Sequence, residues 1–135
     1  MRSPPMLAEQ PIDVMLLATD LPVAKEFYSG RIGLEVLIES DEFVTFRCGG
    51  DSRLVVTKST SGSSEEQTKA SWRVDDIAAE VAGLRARGVE IREYDEKWLK
   101  TVDGVADAGF ALAAWFVDPS GNSIGLLQFK DGEGG

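Results

Sequence analysis

The sequence contains no histidine, and this absence limits the chemistry that its side chains can do. Ser-His-Asp triads, Cys-His pairs and imidazole metal ligands are all excluded. The single cysteine, Cys48, cannot form an intrachain disulfide and is expected to be a small buried residue at a strand end. Asp13, within the apolar segment IDVMLLAT, is the only candidate for general acid–base catalysis. No second acid, nucleophile or oxyanion donor can be assigned to act with it.

Ligand binding is the other chemistry that the residue types suggest. Side chains alternate between the two faces of a strand, so polar and apolar candidates can be assigned to shared faces. The two cations, Lys69 and Arg73, could orient an anionic or carbonyl-bearing group, and the aromatic candidates could stack against a planar body. Alternatively, Lys69–Asp13 and Arg73–Asp75 are solvent-screened ion pairs that contribute little. The candidate ligand-binding residues are Asp13, Met15, Lys69, Ser71, Arg73, Tyr94, Trp98 and Trp115.

Composition indicates an ordinary globular domain. The 135 residues suit one domain, or two small halves that share a core, and 43% of them are apolar. The net charge of −9 argues against a nucleic-acid partner, which would require a basic face. No apolar run approaches the roughly 20 residues that a membrane helix needs. Together with the lone cysteine, these features predict a cytoplasmic protein that binds neither nucleic acid nor membrane.

The first half of the chain predicts the order β-α-β-β-β. Asp20 is expected to cap the helix, with Pro22 in its first turn, and Gly30 or Gly33 is expected to end it. Tyr28, near the end of this helix, is expected to be a core aromatic residue whose hydroxyl reaches water. The predicted strands are 12–19, 34–39, 43–47 and 53–57, and the helix extends to about Ser29.

The second half repeats this order after a linker, residues 58–68, that has no apolar side chain. Asp76 is expected to cap a second helix that stops at Gly88, and residues 118–122 (DPSGN) form the turn of a closing hairpin. Residues 95–109 are predicted to be a loop, and the second-half strands to be 70–74, 89–94, 111–117 and 124–127. The expected class is α+β, with tandem βαβββ modules whose half-barrel sheets face each other and enclose a cleft. The predicted domain is 12–130, between a disordered leader, 1–11, and a disordered tail, 131–135.

Three motifs in this order resemble the vicinal oxygen chelate superfamily, also called the glyoxalase/bleomycin resistance protein/dioxygenase superfamily. They are Asp20-Leu21 through Phe27-Tyr28 to Gly33-Leu34, Val74-Asp75-Asp76 through Arg85-Ala86-Arg87-Gly88-Val89, and Asp118-Pro119 with Gly121-Asn122. The match covers residues 12–129. The resemblance implies tandem βαβββ modules and frequent dimers. It also implies a divalent metal that chelates two oxygens of the substrate. The protein ligands of this metal would lie on the cleft faces of the first and fourth strands of each module.

The resemblance also identifies the positions at which such a metal would be held. Seven residues before each helix-capping aspartate lie Asp13 and Lys69, and seven residues after Asp118 lies Gly125. The remaining position falls at Val55, or at Val56 if the register differs by one. A carboxylate, an ammonium, an alkyl group and a glycine do not make a site for a divalent ion. The expectation is therefore that no metal and no other cofactor is bound.

These observations predict a homodimeric, metal-free relative of the superfamily that binds or sequesters a small, partly apolar molecule in the cleft. The resemblance implies which strand faces border the cleft, and those faces would carry the candidate residues given above. The alternative is a lyase, an isomerase or a dioxygenase of the same superfamily that acts on a small carbonyl or aromatic substrate. In that case Asp13 would be the catalytic candidate.

Overall fold

The first module of the computed structural model is a four-stranded sheet with one helix on its face, as predicted. The structure describes residues 6–60 and 67–130. The strand order is β1-β4-β3-β2, with β1 parallel to β4 and the other pairs antiparallel. The elements are β1 (Asp13–Ala18), α1 (Leu21–Glu26), a π-helical turn (Phe27–Arg31), β2 (Glu35–Glu39), β3 (Phe43–Arg47) and β4 (Arg53–Lys58).

The second module has the same plan with a different outer strand. The strand order is β5-β10-β9-β8, and α2 packs on one face. Among the described residues, no helix is both long enough and apolar enough to cross a membrane. The elements are β5 (Thr68–Arg73), α2 (Ile77–Ala86), β6 (Asp95–Glu96), β7 (Leu99–Lys100), β8 (Ala106–Asp107), β9 (Ala111–Val117) and β10 (Ser123–Phe129).

Both helices begin where the sequence predicted. The carboxylates of Asp20 and Asp76 accept hydrogen bonds from the backbone N–H groups of Val23 and Ala79, each at 3.1 Å. α1 itself ends at Glu26, and the chain continues as the π-helical turn to Arg31 rather than as α-helix. The chain leaves the second helix through Gly88 at φ +84°, a left-handed conformation that favours glycine.

The predicted strand 89–94 is wrong. Only Ile91 of this segment makes a bridge, to Phe116 of β9, and the outer place in the sheet is taken by β8. The carboxylate of Glu93 accepts hydrogen bonds from the Thr101 hydroxyl and from the Gly104 N–H. These hydrogen bonds hold the residues between Glu93 and Gly104 in a folded loop outside the main sheet. The predicted loop 95–109 therefore contains the antiparallel pair β6–β7 as well as β8.

Parts of three predicted irregular segments lie outside the described residues. These parts are 1–5 of the leader, 61–66 of the linker and 131–135 of the tail. Within the rest of the leader, Leu7–Glu9 forms a 3₁₀ turn. The linker is shorter than predicted, because β4 extends to Lys58 and β5 begins at Thr68.

The DPSGN turn joins the modules. The side-chain amide of Asn122 donates to the Leu17 carbonyl at 2.8 Å, and the Ser120 hydroxyl accepts from the Thr19 N–H at 3.2 Å. The Tyr28 hydroxyl donates to Asp118 at 2.7 Å. Tyr28 is fully buried, so the expectation that its hydroxyl reaches water is wrong. These contacts connect β1 and the π-helical turn to the second sheet, and buried residues of both modules form one core cluster.

The sheet faces that point away from the helices are open. In β1, Leu16 and Ala18 are buried beneath the helix, whereas Met15 and Leu17 on the other face are 61% and 44% exposed. This alternation is the period of two that places successive side chains on opposite faces. A single chain therefore presents the predicted cleft walls as open surface.

Candidate functional site

The four positions that could hold a metal do not provide a ligand set. Asp13 is the only carboxylate among them, Val55 is buried, and Lys69 would repel a cation. Among the described residues there is no group of three or more histidine, cysteine or acidic side chains that could hold a metal ion. The residues present at these positions therefore do not fit the divalent ion that the resemblance implies.

Asp13 is engaged by Arg53, a residue that sequence reasoning missed. The guanidinium Nε and Nη2 of Arg53 lie 3.1 and 2.6 Å from the two carboxylate oxygens, a bidentate geometry. This hydrogen bonding lowers the pKa of Asp13. A carboxylate with a lowered pKa is a weaker base, so this environment does not favour general acid–base catalysis. Parallel pairing of β1 and β4 puts Asp13 opposite Arg53, and no local pattern in the sequence specifies this register.

Cys48 also has an environment of low reactivity. It is half-buried, and burial raises the pKa of the thiol, an effect partly opposed by a hydrogen bond with Trp72. A raised pKa reduces the fraction of reactive thiolate at neutral pH. The residue therefore supplies no evident nucleophile.

A row of predicted site residues crosses the second sheet. Ser71 of β5 lies opposite Gly125 of β10, which in turn lies opposite Trp115 of β9. The Tyr94 ring meets the Trp115 ring edge-on, with centroids 5.6 Å apart. Lys69 is exposed and lies at an irregularity of the β5–β10 register, where Thr68 is opposite Ser123 and Ala70 is opposite Ile124. The structure thus brings three of the predicted side chains, Ser71, Tyr94 and Trp115, together on one open face.

Gly125 is packed closely by its neighbour in β5. A Cβ at this position would lie 2.7 Å from the Ser71 hydroxyl oxygen and 3.3 Å from Cγ2 of Thr68. The glycine backbone does not have a positive φ, so conformation alone does not require glycine here. A large side chain such as glutamate would instead require Ser71 to move.

An aromatic cavity of about 990 Å³ lies beside this row. Its wall includes Trp98 from the β6–β7 turn, Trp115, Leu127 of β10, and Phe110, which sequence reasoning missed. Trp98 is 79% exposed and Phe110 52% exposed. Lys97 and Lys100 contribute positive charge to the lining. The cavity can therefore offer apolar surface to a ligand and cationic groups near it.

The remaining candidates lie in different places. Arg73 continues the exposed face of β5, one alternation beyond Ser71, and it is not part of the aromatic cavity lining. Asp13 and Met15 belong to the first sheet. The predicted site residues are thus divided between two open sheet faces.

Comparison with solved structures identifies the fold. A glyoxalase family protein from Bacillus anthracis aligns over 96% of this chain and 100% of its own, with TM-score 0.69 and 18% identity. Lactoylglutathione lyase from Agrobacterium tumefaciens aligns over 94% and 100%, with TM-score 0.64 and 21% identity. TnmS3, an antibiotic binding protein from Streptomyces sp. CB03234, aligns over 90% and 94%, with TM-score 0.61 and 26% identity.

The chain therefore has the fold of the vicinal oxygen chelate superfamily, the glyoxalase/bleomycin resistance protein/dioxygenase group, as the sequence motifs indicated. No family model matches the sequence, and no curated protein matches it significantly.

Proposed function

We propose that this protein is a cytoplasmic, metal-free binding protein that sequesters a small, partly apolar molecule on its open sheet faces. The observation that carries the proposal is the aromatic cavity around Trp98 and Trp115. Ligand sites are typically concave, largely apolar spaces of about 300–1,000 Å³ with a few polar groups, and this cavity falls at the upper end. TnmS3, which resembles the chain along most of its length, is an antibiotic binding protein.

The proposal includes a homodimer in which a second copy covers the open faces. The faces carry exposed Met15 and Leu17 on one sheet and Trp98 and Phe110 on the other. Large exposed apolar side chains that cluster on one face are typical of an interaction surface. Covering them would turn an open wall into a closed cleft, and the predicted residues Lys69, Ser71 and Arg73 would then orient the polar part of the ligand.

The enzymatic alternative has less support in the geometry. A metal-dependent lyase or dioxygenase needs a ligand set that Asp13, Val55, Lys69 and Gly125 do not supply. Elemental analysis of purified protein separates the two functions. The binding proposal expects no stoichiometric metal, and about one iron, manganese, nickel or zinc ion per chain would contradict it.

The direct test uses 8-anilinonaphthalene-1-sulfonate, an aromatic anion with apolar rings, as the probe. Fluorescence titration of the native protein should give saturable binding, and Trp98→Ala should weaken it about tenfold because an aromatic wall is lost. Trp98 is largely exposed, so its truncation should leave the melting temperature unchanged. Val23→Ala, an exposed apolar position on α1 outside the cavity, is the matched control. Equal affinity in wild type and Trp98→Ala would contradict the site.

A further inference from the structure

A second cavity lies on the opposite side of the fold, between the modules. It has a volume of about 210 Å³ and is separate from the open sheet faces. Ile32 and Leu34 of the first module form one wall, and residues of α2 and the second sheet form the rest. Its lining shares no residue with the aromatic cavity around Trp98.

The floor of this inter-module cavity is apolar and firmly packed. Phe116, Leu126 and Leu84 are 1%, 4% and 5% exposed, and Trp72 contributes a half-buried indole. An apolar cavity of about 150 Å³ in another protein stays dry and binds benzene. The space here is therefore large enough for one aromatic ring with a short substituent.

The charged residues of this cavity come from α2 and from the residue that caps its C-terminal end. Glu80 lies in α2, four residues before Leu84, and Arg87 is the C-cap residue, three positions after Leu84. Nε of Arg87 donates to the Arg31 carbonyl at 2.7 Å. Within the part of the chain that the structure describes, the guanidinium of Arg87 is in no ion pair. A guanidinium with free terminal N–H groups is suited to a carboxylate.

We propose that the inter-module cavity binds a small aryl carboxylate, with the ring against Trp72 and Phe116 and the carboxylate on Arg87. Binding of the aromatic ring of the ligand would bury the apolar side chains of the cavity that are now accessible from its open side. The negative group complements Arg87 at one end of the opening, and the carboxylate of Glu80 disfavours the same group at the other end. This site is independent of the proposed function, because the two cavities share no lining residue.

Methyl ¹H–¹³C NMR of the full chain tests the proposal with benzoate, and with benzyl alcohol and benzylamine as neutral and cationic counterparts. Benzoate should produce saturable shifts at the methyl groups of Leu84, Leu126 and Ile32. Its dissociation constant should be about tenfold below that of benzyl alcohol, because of the charge-assisted hydrogen bond to Arg87. No shifts at these methyl groups, or tightest binding by benzylamine, would overturn the proposal.

Two substitutions distinguish the ring site from the charge site. Arg87→Gln should reduce benzoate affinity to that of benzyl alcohol and leave benzyl alcohol affinity unchanged. Arg85→Gln, in the last turn of α2 but outside the cavity lining, should change the affinity for neither compound. Val74→Phe should fill the cavity and abolish the binding of both benzoate and benzyl alcohol. Val23→Phe on α1, outside the cavity lining, should leave the binding of both compounds unchanged. If Arg87→Gln lost affinity for both compounds equally, Arg87 would act only through its hydrogen bond to the Arg31 carbonyl. That result would contradict the assignment of Arg87 as the carboxylate-binding residue.

Discussion

Asp118 is the most highly connected buried side chain of the turn that joins the modules. Its Oδ1 accepts from the backbone N–H groups of Ser120 and Asn122, each at 2.9 Å. Its Oδ2 accepts from the Tyr28 hydroxyl and from the side-chain amide of Asn122. A buried carboxylate is tolerated only when donors satisfy it. The Tyr28 hydroxyl is therefore expected to contribute to stability rather than to ligand binding.

Tyr28→Phe tests this contribution. The substitution keeps the ring packed against Phe27 and Phe46 and removes only the donor to Asp118. The free energy of unfolding should fall by about 1–3 kcal/mol, because a buried acceptor loses a partner. Urea denaturation measures the change. Tyr94→Phe is the control, since the Tyr94 hydroxyl has no hydrogen-bond partner among the described residues, and it should be nearly neutral. Equal effects in the two variants would contradict the assignment.

The same residue predicts a dependence on alkaline pH. Burial, with the charge and hydrogen bond of Asp118, raises the pKa of Tyr28. The folded state thus keeps the neutral phenol, whereas the unfolded chain releases the phenol proton near pH 10. The contribution of the Tyr28 hydroxyl to the free energy of unfolding is therefore fully present below about pH 10. It is lost progressively as the pH rises above that value. The difference in unfolding free energy between wild type and Tyr28→Phe should narrow when denaturation is repeated at about pH 11.

Arg53→Gln tests the electrostatics of Asp13. Arg53 lowers the pKa of Asp13 from its ordinary 3.8. The pair therefore stabilises the folded state fully at pH values above 3.8, and this stabilisation is lost as the pH falls through the lowered pKa. Removing the guanidinium should return the pKa of Asp13 toward the ordinary value, as followed by carboxyl ¹³C NMR titration. Arg47→Gln, which removes the partner of Glu35, should leave Asp13 unchanged. An unchanged pKa in Arg53→Gln would show that Arg53 does not control this carboxylate.

At the scale of elements, Glu93 holds the segment between Ile91 and β8. Its carboxylate accepts from Thr101, Gly104 and Arg85, and these hydrogen bonds, with Thr101 the largest contributor, lower its pKa. The segment positions Trp98 above the second sheet. The geometry of the proposed aromatic site thus depends on a residue outside the cavity lining.

Glu93→Gln should loosen this segment without unfolding the sheet. The amide of Gly104, which donates to Glu93, should exchange with solvent about tenfold faster, because local opening becomes easier. Amide hydrogen exchange followed by NMR measures this effect, and core amides of β9 and β10 should remain protected. Glu90→Gln, an exposed acid on the same stretch, is the control. Unchanged exchange at Gly104 would show that Glu93 does not hold the segment.

Most elements could be predicted because their signals are local. The aspartate caps at Asp20 and Asp76 and the DPSGN turn depend on residues within a few positions, and all three are confirmed. The segment after Gly88 could not be predicted in this way. Its alternation matched a strand, but hydrogen bonds from Thr101 and Gly104, eight and eleven residues further on, direct it elsewhere.

At the scale of the whole molecule, the open face of β1 makes the proposed dimer testable. Met15→Glu places a charge on a side chain that is already 61% exposed in one chain, so the fold should tolerate it. Burying that charge against a second copy would be costly, so association should weaken at least about tenfold. Sedimentation equilibrium measures this change, with Val23→Glu on α1 as the control. A wild-type protein that is monomeric at all concentrations would contradict the dimer.

The sequence alone determined the order of elements in the first module, the caps, the closing hairpin and the side-chain chemistry at the four metal positions, because each depends on residue type and short spacing. The tertiary structure decided which residues meet across long separations. Only the register of β1 with β4 pairs Asp13 with Arg53, and only packing of the modules buries the Tyr28 hydroxyl on Asp118. Such pairings join residues 40 and 90 positions apart, and no local pattern specifies them.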